Sequence, residues 1–87
     1  MGKERFVSLL ALHNRHLESR KSLNPLTRYI ASAQYEAAFL QTLSDITEQS
    51  VPDSNIRDTA TKIAIAYRDK NYSEATNLVH ALVEYYH

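Results

Sequence analysis

Apolar side chains recur along this chain at spacings of three and four, and short polar breaks cut the rhythm into four segments. The first runs from about Lys3 to Lys21 and stops at Ser22-Leu23-Asn24. Asn24-Pro25 then reads as a helix cap followed by proline at the first helical position, where its missing N–H costs nothing. The second segment continues from Pro25 to about Glu48, roughly 36 Å at 1.5 Å per residue. Val51-Pro52-Asp53 marks a turn, with Asp53 or Ser54 as the next cap, and the third segment reaches about Asp69. Lys70-Asn71-Tyr72 reads as its last turn, with Asn71 the left-handed residue and Ser73 the cap of a fourth helix that runs to the end of the chain. No stretch alternates apolar and polar residues long enough for a strand. The expectation is an all-α fold in one domain over residues 1–87. It is a compact antiparallel bundle of about four helices, with the second helix longest and central, because short connections favour antiparallel neighbours.

At 100° per residue the faces separate. The first segment aligns Phe6, Leu9, Leu10, His13 and Leu17. The third aligns Ile56, Ala60, Ile63, Ala64 and Tyr67, with Ile65 pointing away. The fourth gathers Ala75, Leu78, Val79, Leu82, Val83, Tyr85 and Tyr86, opposite Thr76, Asn77, His80 and Glu84. The second segment has two apolar stripes. Leu26, Ile30, Ala33, Ala37 and Leu40 form one; Tyr35, Phe39, Leu43 and Ile46 form another roughly opposite. Such a helix either has neighbours on both sides or leaves one side for a partner. Tyr35, Phe39, Leu43 and Ile46 are the expected docking side chains, with Tyr35 and Phe39 the aromatic anchors.

Length and composition narrow the classes. Eighty-seven residues make one small domain of marginal stability, which dimerisation would supplement. The absence of cysteine excludes a disulfide framework, a thiolate metal site and a cysteine nucleophile. A single glycine leaves no phosphate-cradling loop. The apolar runs are too short to span a bilayer and the N-terminus lacks a leader's apolar core, so a cytoplasmic location is expected, without membrane contact.

Zero net charge conceals a polarity along the chain. Residues 1–30 carry six basic side chains against Glu4 and Glu18, a balance of +4; residues 31–55 carry Glu36, Asp45, Glu48 and Asp53 with no base, a balance of −4. An antiparallel first hairpin would set the acidic end beside Lys3 and Arg5, and cations at Arg20 and Lys21 suit the end of a helix. The alternative use of the basic half is an exposed patch, with Arg15, Arg20 and Arg28 steering an acidic partner. A DNA-reading helix-turn-helix wants a basic outward face behind its turn, which this chain lacks, so nucleic acid is not the expected partner.

Catalytic constellations are missing. His13 and His16 share a helix face without a carboxylate in register, His-Glu-x-x-His is absent, and so is Gly-x-Ser-x-Gly. His13 falls inside an apolar stripe, as a core histidine bonded to a neighbouring helix would, while His80 and His87 lie towards the polar side. No enzyme activity, metal or cofactor is expected. The run Tyr67-Arg68-Asp69-Lys70-Asn71-Tyr72-Ser73-Glu74-Ala75 resembles the middle of a tetratricopeptide unit, in which an aromatic closes one helix and Tyr-x-x-Ala begins the next. The likeness implies a tight helical hairpin there. Lys70 stands at the unit's turn glycine, Ile63 at its first-helix glycine, and there is no second copy.

By exclusion and architecture the chain reads as a small non-enzymatic protein-binding module, an inhibitor or immunity-type protein that occludes a toxin or other effector. A nucleic-acid-associated regulator using the basic half, a secretion chaperone or adaptor, and a structural subunit are the alternatives.

Overall fold

The computed structural model describes residues 4–49 and 53–85. They form α1 (Glu4–Ser19), α2 (Pro25–Gln49), α3 (Ser54–Arg68) and α4 (Tyr72–Tyr85), with no strand among them. The turn expected at Val51-Pro52, and Tyr86 and His87, lie outside the described residues.

Local chemistry accounts for where the helices begin. The Asn24 side-chain oxygen accepts the backbone N–H groups of Leu26 and Thr27 at 3.0 and 3.2 Å. Asp53 does the same for Asn55 and Ile56 at 3.0 and 3.2 Å, so Asp53 and not Ser54 is the cap of α3. Each satisfies donors that a helix start leaves without partners.

The α3–α4 connection corrects two expectations. Lys70, not Asn71, is the left-handed residue, at φ 60°. The N–H of Asn71 reaches back to the Ala66 carbonyl at 2.8 Å and that of Lys70 to Tyr67 at 3.1 Å, the paired bonds of a Schellman ending. Asn71 is thereby free to cap α4, its side-chain oxygen accepting from Glu74 N–H at 3.3 Å, and Ser73 lies inside the helix. The chain reverses one residue earlier than its composition suggests.

The helices form a ring: α1 lies against α2, α2 against α3, α3 against α4, and α4 closes on α1; among the described residues the backbones of the diagonal pairs stay apart, and α1 meets α3 only through long side chains. The antiparallel arrangement brings the start of α1 to the end of α2. With its amide oxygen turned to α1, Gln49 accepts from both terminal guanidinium nitrogens of Arg5 at 3.0 Å.

The core is built from Phe6 and Leu9, then Phe39, Leu43 and Ile46, then Ile56, Ala60, Ile63, Ala66 and Tyr67, and finally Ala75, Val79 and Leu82. In α1 the buried positions step 6, 9, 13, 16, so His16 takes the inward place expected of Leu17, which is half-buried. In α3 Ala66 faces inward where Ala64 was expected.

α2 has 25 residues against 16 in α1, nine more, or about 13 Å of helix. The excess is visible as a projecting end: residues 23–30 are all exposed. The molecule measures 43 × 23 × 20 Å, its long axis exceeding the other two accordingly.

Lys70 holds a conformation that disfavours a side chain with Cβ. Lys70→Gly is expected to raise unfolding free energy by about 0.5–1 kcal/mol, net of the glycine's greater freedom when unfolded. Urea unfolding followed by circular dichroism checks this; a loss of stability would contradict it.

Candidate interaction surface

Both apolar stripes of α2 exist, but the bundle covers the one expected to be free. Phe39 and Ile46 are 0% exposed and Leu43 is 4% exposed. The docking role expected for Phe39, Leu43 and Ile46 is therefore corrected: they are core, enclosed by their own chain. The reason is size. This stripe carries the larger side chains, each worth about 1.5–3 kcal/mol when buried, while the opposite stripe includes two alanines. Tyr35, at the edge of the covered side, is half-buried and shares an open groove with Arg15, Glu18 and Ser19.

Phe39 is held in an aromatic cluster drawn from all four helices. Its ring stacks on Tyr67, centroids 4.3 Å apart and planes 14° from parallel. His13 leans against both rings, and His16 meets Tyr67 and Tyr72 at 5.3 and 5.0 Å. Hydrogen bonds run through the cluster in one direction. Thr76 donates its hydroxyl proton to the Tyr72 carbonyl at 2.8 Å, so its oxygen accepts from His13 Nε2–H at 2.7 Å. His13 Nδ1 is then the acceptor, and the Tyr67 hydroxyl donates to it. A neutral His13 satisfies every member.

Burial enforces that state. It holds His13 down to about 4, with His16 and His80 adding in the same direction. His16 is also lowered, mainly by burial; the carboxylate of Glu36 opposes the shift and Arg20 reinforces it. Tyr67 is pushed above its ordinary value by burial, then by Tyr72 and Glu36, so its phenol keeps the proton that His13 accepts. His16 Nδ1 is buried without a hydrogen-bond partner. The sequence placed His13 in this role; the inward turn of His16 was legible only in the 6-9-13-16 spacing.

The other stripe of α2 faces outward. Leu26, Tyr29 and Ile30 are 67, 75 and 48% exposed, and Leu40, Ala33 and Ala37 lie exposed on the same side. Leu23, in the turn just before α2, is exposed as well. A continuous apolar strip thus runs from the projecting end towards the middle of the helix. Arg28 lies exposed on that end; Arg15 is exposed beside Tyr35; Arg20 sits 4.6 Å over the Tyr72 ring, committed to a cation–π contact. The three arginines do not line one site.

Among the described residues no three His, Asp or Glu side chains gather where they could hold a metal ion, and no helix is long and apolar enough to cross a membrane. No protein-family model, no curated protein and no solved structure matches this chain.

Two outcomes follow from this geometry. Because the folded state binds His13's proton more weakly than the unfolded chain, stability is full above pH 6.5 and falls as pH drops towards 4. The loss is on the order of 3 kcal/mol, read as the change in urea-unfolding free energy between pH 7 and pH 4. A flat profile would contradict the buried neutral ring. Second, Phe39→Asp is expected to unfold the domain by burying a charge in the aromatic cluster, whereas Ile30→Asp, at an exposed site, keeps the helical circular dichroism of the folded chain.

Proposed function

We propose that this chain is a non-enzymatic protein-binding module that docks through the outer face of α2, with Leu26, Tyr29, Ile30 and Leu40 as its contact side chains. One observation carries the reading: the longest helix presents an apolar strip, extending onto a projecting end, that no other element among the described residues covers. Contiguous exposed apolar surface of this kind marks contact with another macromolecule. At the centre of the bundle His13, Tyr67 and Thr76 bond to one another, and the chain acts by covering a surface and not by converting a substrate. Inhibitor or immunity-type occlusion is that mode of action directed at another protein. Arg28, exposed on the projecting end but on the opposite side of the helix from Leu26 and Ile30, supplies steering charge, which speeds encounter more than it adds affinity.

The test is affinity capture with three baits: the unmodified chain, a Leu26→Asp/Ile30→Asp variant, and Asn77→Asp on the exposed side of α4. Capture is expected to weaken about thirtyfold in the α2 variant, the loss of at least 2 kcal/mol typical of a central anchor, and to persist in the α4 variant and in high salt. Capture indifferent to the α2 substitutions would end the proposal. A steep decline with salt would favour a phosphate-binding, nucleic-acid role instead.

A further inference from the structure

The outer face of α2 has two unlike ends. Leu26, Ile30, Ala33, Ala37, Leu40, Ser44 and Thr47 follow one another at steps of four and three, the repeat that one helix offers another along a shared seam. At the N-terminal end the side chains are large and project: Leu26 and Ile30, with Leu23 98% exposed just before them. In the middle they are alanines. At the far end the seam borders a recess of about 420 Å³ between α2 and α3, walled by Leu40, Leu43, Ser44, Thr47, Ala60 and Ala64. One face therefore carries a knob and a recess at opposite ends.

We infer that a second copy of this chain covers the face, its α2 lying antiparallel to the first about a two-fold axis between Ala33 and Ala37. This rests on the reading that the outer face of α2 is a docking surface, and names what docks. In this register Leu26 meets Ser44 of the second copy, Ile30 meets Leu40, and Ala33 meets Ala37. Each knob enters the other's recess, and the paired alanines let the helix axes approach to the close end of the usual 8–10 Å. Such a contact is isologous and closes on itself as a dimer.

Charge selects the same orientation. Arg20, Lys21 and Arg28 lie at the N-terminal end of α2 or just before it, and Asp45 and Glu48 lie near its other end, all but half-buried Asp45 exposed. Antiparallel pairing sets bases against acids, and opposes the helix dipoles favourably. Parallel pairing would set Glu48 against Glu48, and would leave both recesses empty. A strip about 36 Å long and about 10 Å wide offers about 360 Å² per copy, under half the ~800 Å² per partner of a standard specific interface, so the pair is a weak one that forms at high protein concentration. Arg15 and Tyr35, on the α1 side of α2, stay open in such a pair.

The chain has no cysteine, so single cysteines report the register directly. Sedimentation equilibrium of the full chain at high protein concentration is expected to give twice 10.0 kDa, falling to 10.0 kDa in Ile30→Asp with helicity retained. Under mild oxidation, a mixture of Ala33→Cys and Ala37→Cys chains forms a disulfide-linked dimer. Each variant alone does not, because identical positions are offset by about 6 Å along the axis and lie beyond disulfide reach. Cross-linking of either variant alone as strongly as the mixture would overturn the antiparallel register. A wild-type chain that stays at 10.0 kDa at all concentrations would overturn the second copy as occupant. In that event α2-dependent capture of a different protein still upholds the docking face, whereas capture indifferent to Leu26→Asp/Ile30→Asp removes the face itself.

Discussion

The proton on His13 Nε2 is the constraint around which the bundle is arranged. It points to Thr76 on α4, which leaves Nδ1 to accept from Tyr67 on α3, and the ring that does both belongs to α1. Three helices are thereby tied at one depth, and Phe39 of α2 is stacked on the same tyrosine. In a low-dielectric interior each of these polar groups would be costly if left unpaired. Meeting all of them at once requires one relative placement of the helices, whereas apolar contacts alone would tolerate several. Among the described residues the one buried side-chain nitrogen left over, Nδ1 of His16, lies at the edge of this cluster beside Tyr72.

That placement decides what α2 shows to solvent. With α1 and α3 both lying on the side that bears Phe39, Leu43 and Ile46, the stripe through Leu26, Ile30 and Leu40 has no helix among the described residues to lie against. Its N-terminal turns also outrun α1, so even a well-packed ring leaves them bare. The exposed strip is thus a consequence of helix length and of which stripe is bulkier.

Electrostatics follows the same division. Basic residues near the first turn and acidic residues further along α2 leave the molecule neutral overall but polarised along its longest helix. Part of this is used internally, as where Arg5 reaches Gln49 and Arg20 covers Tyr72. Arg28 and Glu48 stay exposed on the projecting and recessed halves, where they bear on orientation more than on stability.

Much of the local structure was legible in the sequence because it depends on neighbours in sequence. Asn24-Pro25 and Asp53 start helices through their own side chains, and the apolar faces of α1, α3 and α4 follow from the 3.6-residue period. Where two local solutions were nearly equivalent, at Lys70-Asn71 and at Ala64 against Ala66, the reading slipped by a residue or two. The side of α2 that faces the core lay beyond any such rule. Two apolar stripes on one helix are equal in periodicity, and the greater bulk of one becomes decisive only against the aromatic cluster contributed by the other three helices. Chain order and local chemistry determined four helices and their ends; the tertiary structure decided which greasy side of the longest one is hidden, because burial is settled by distant neighbours.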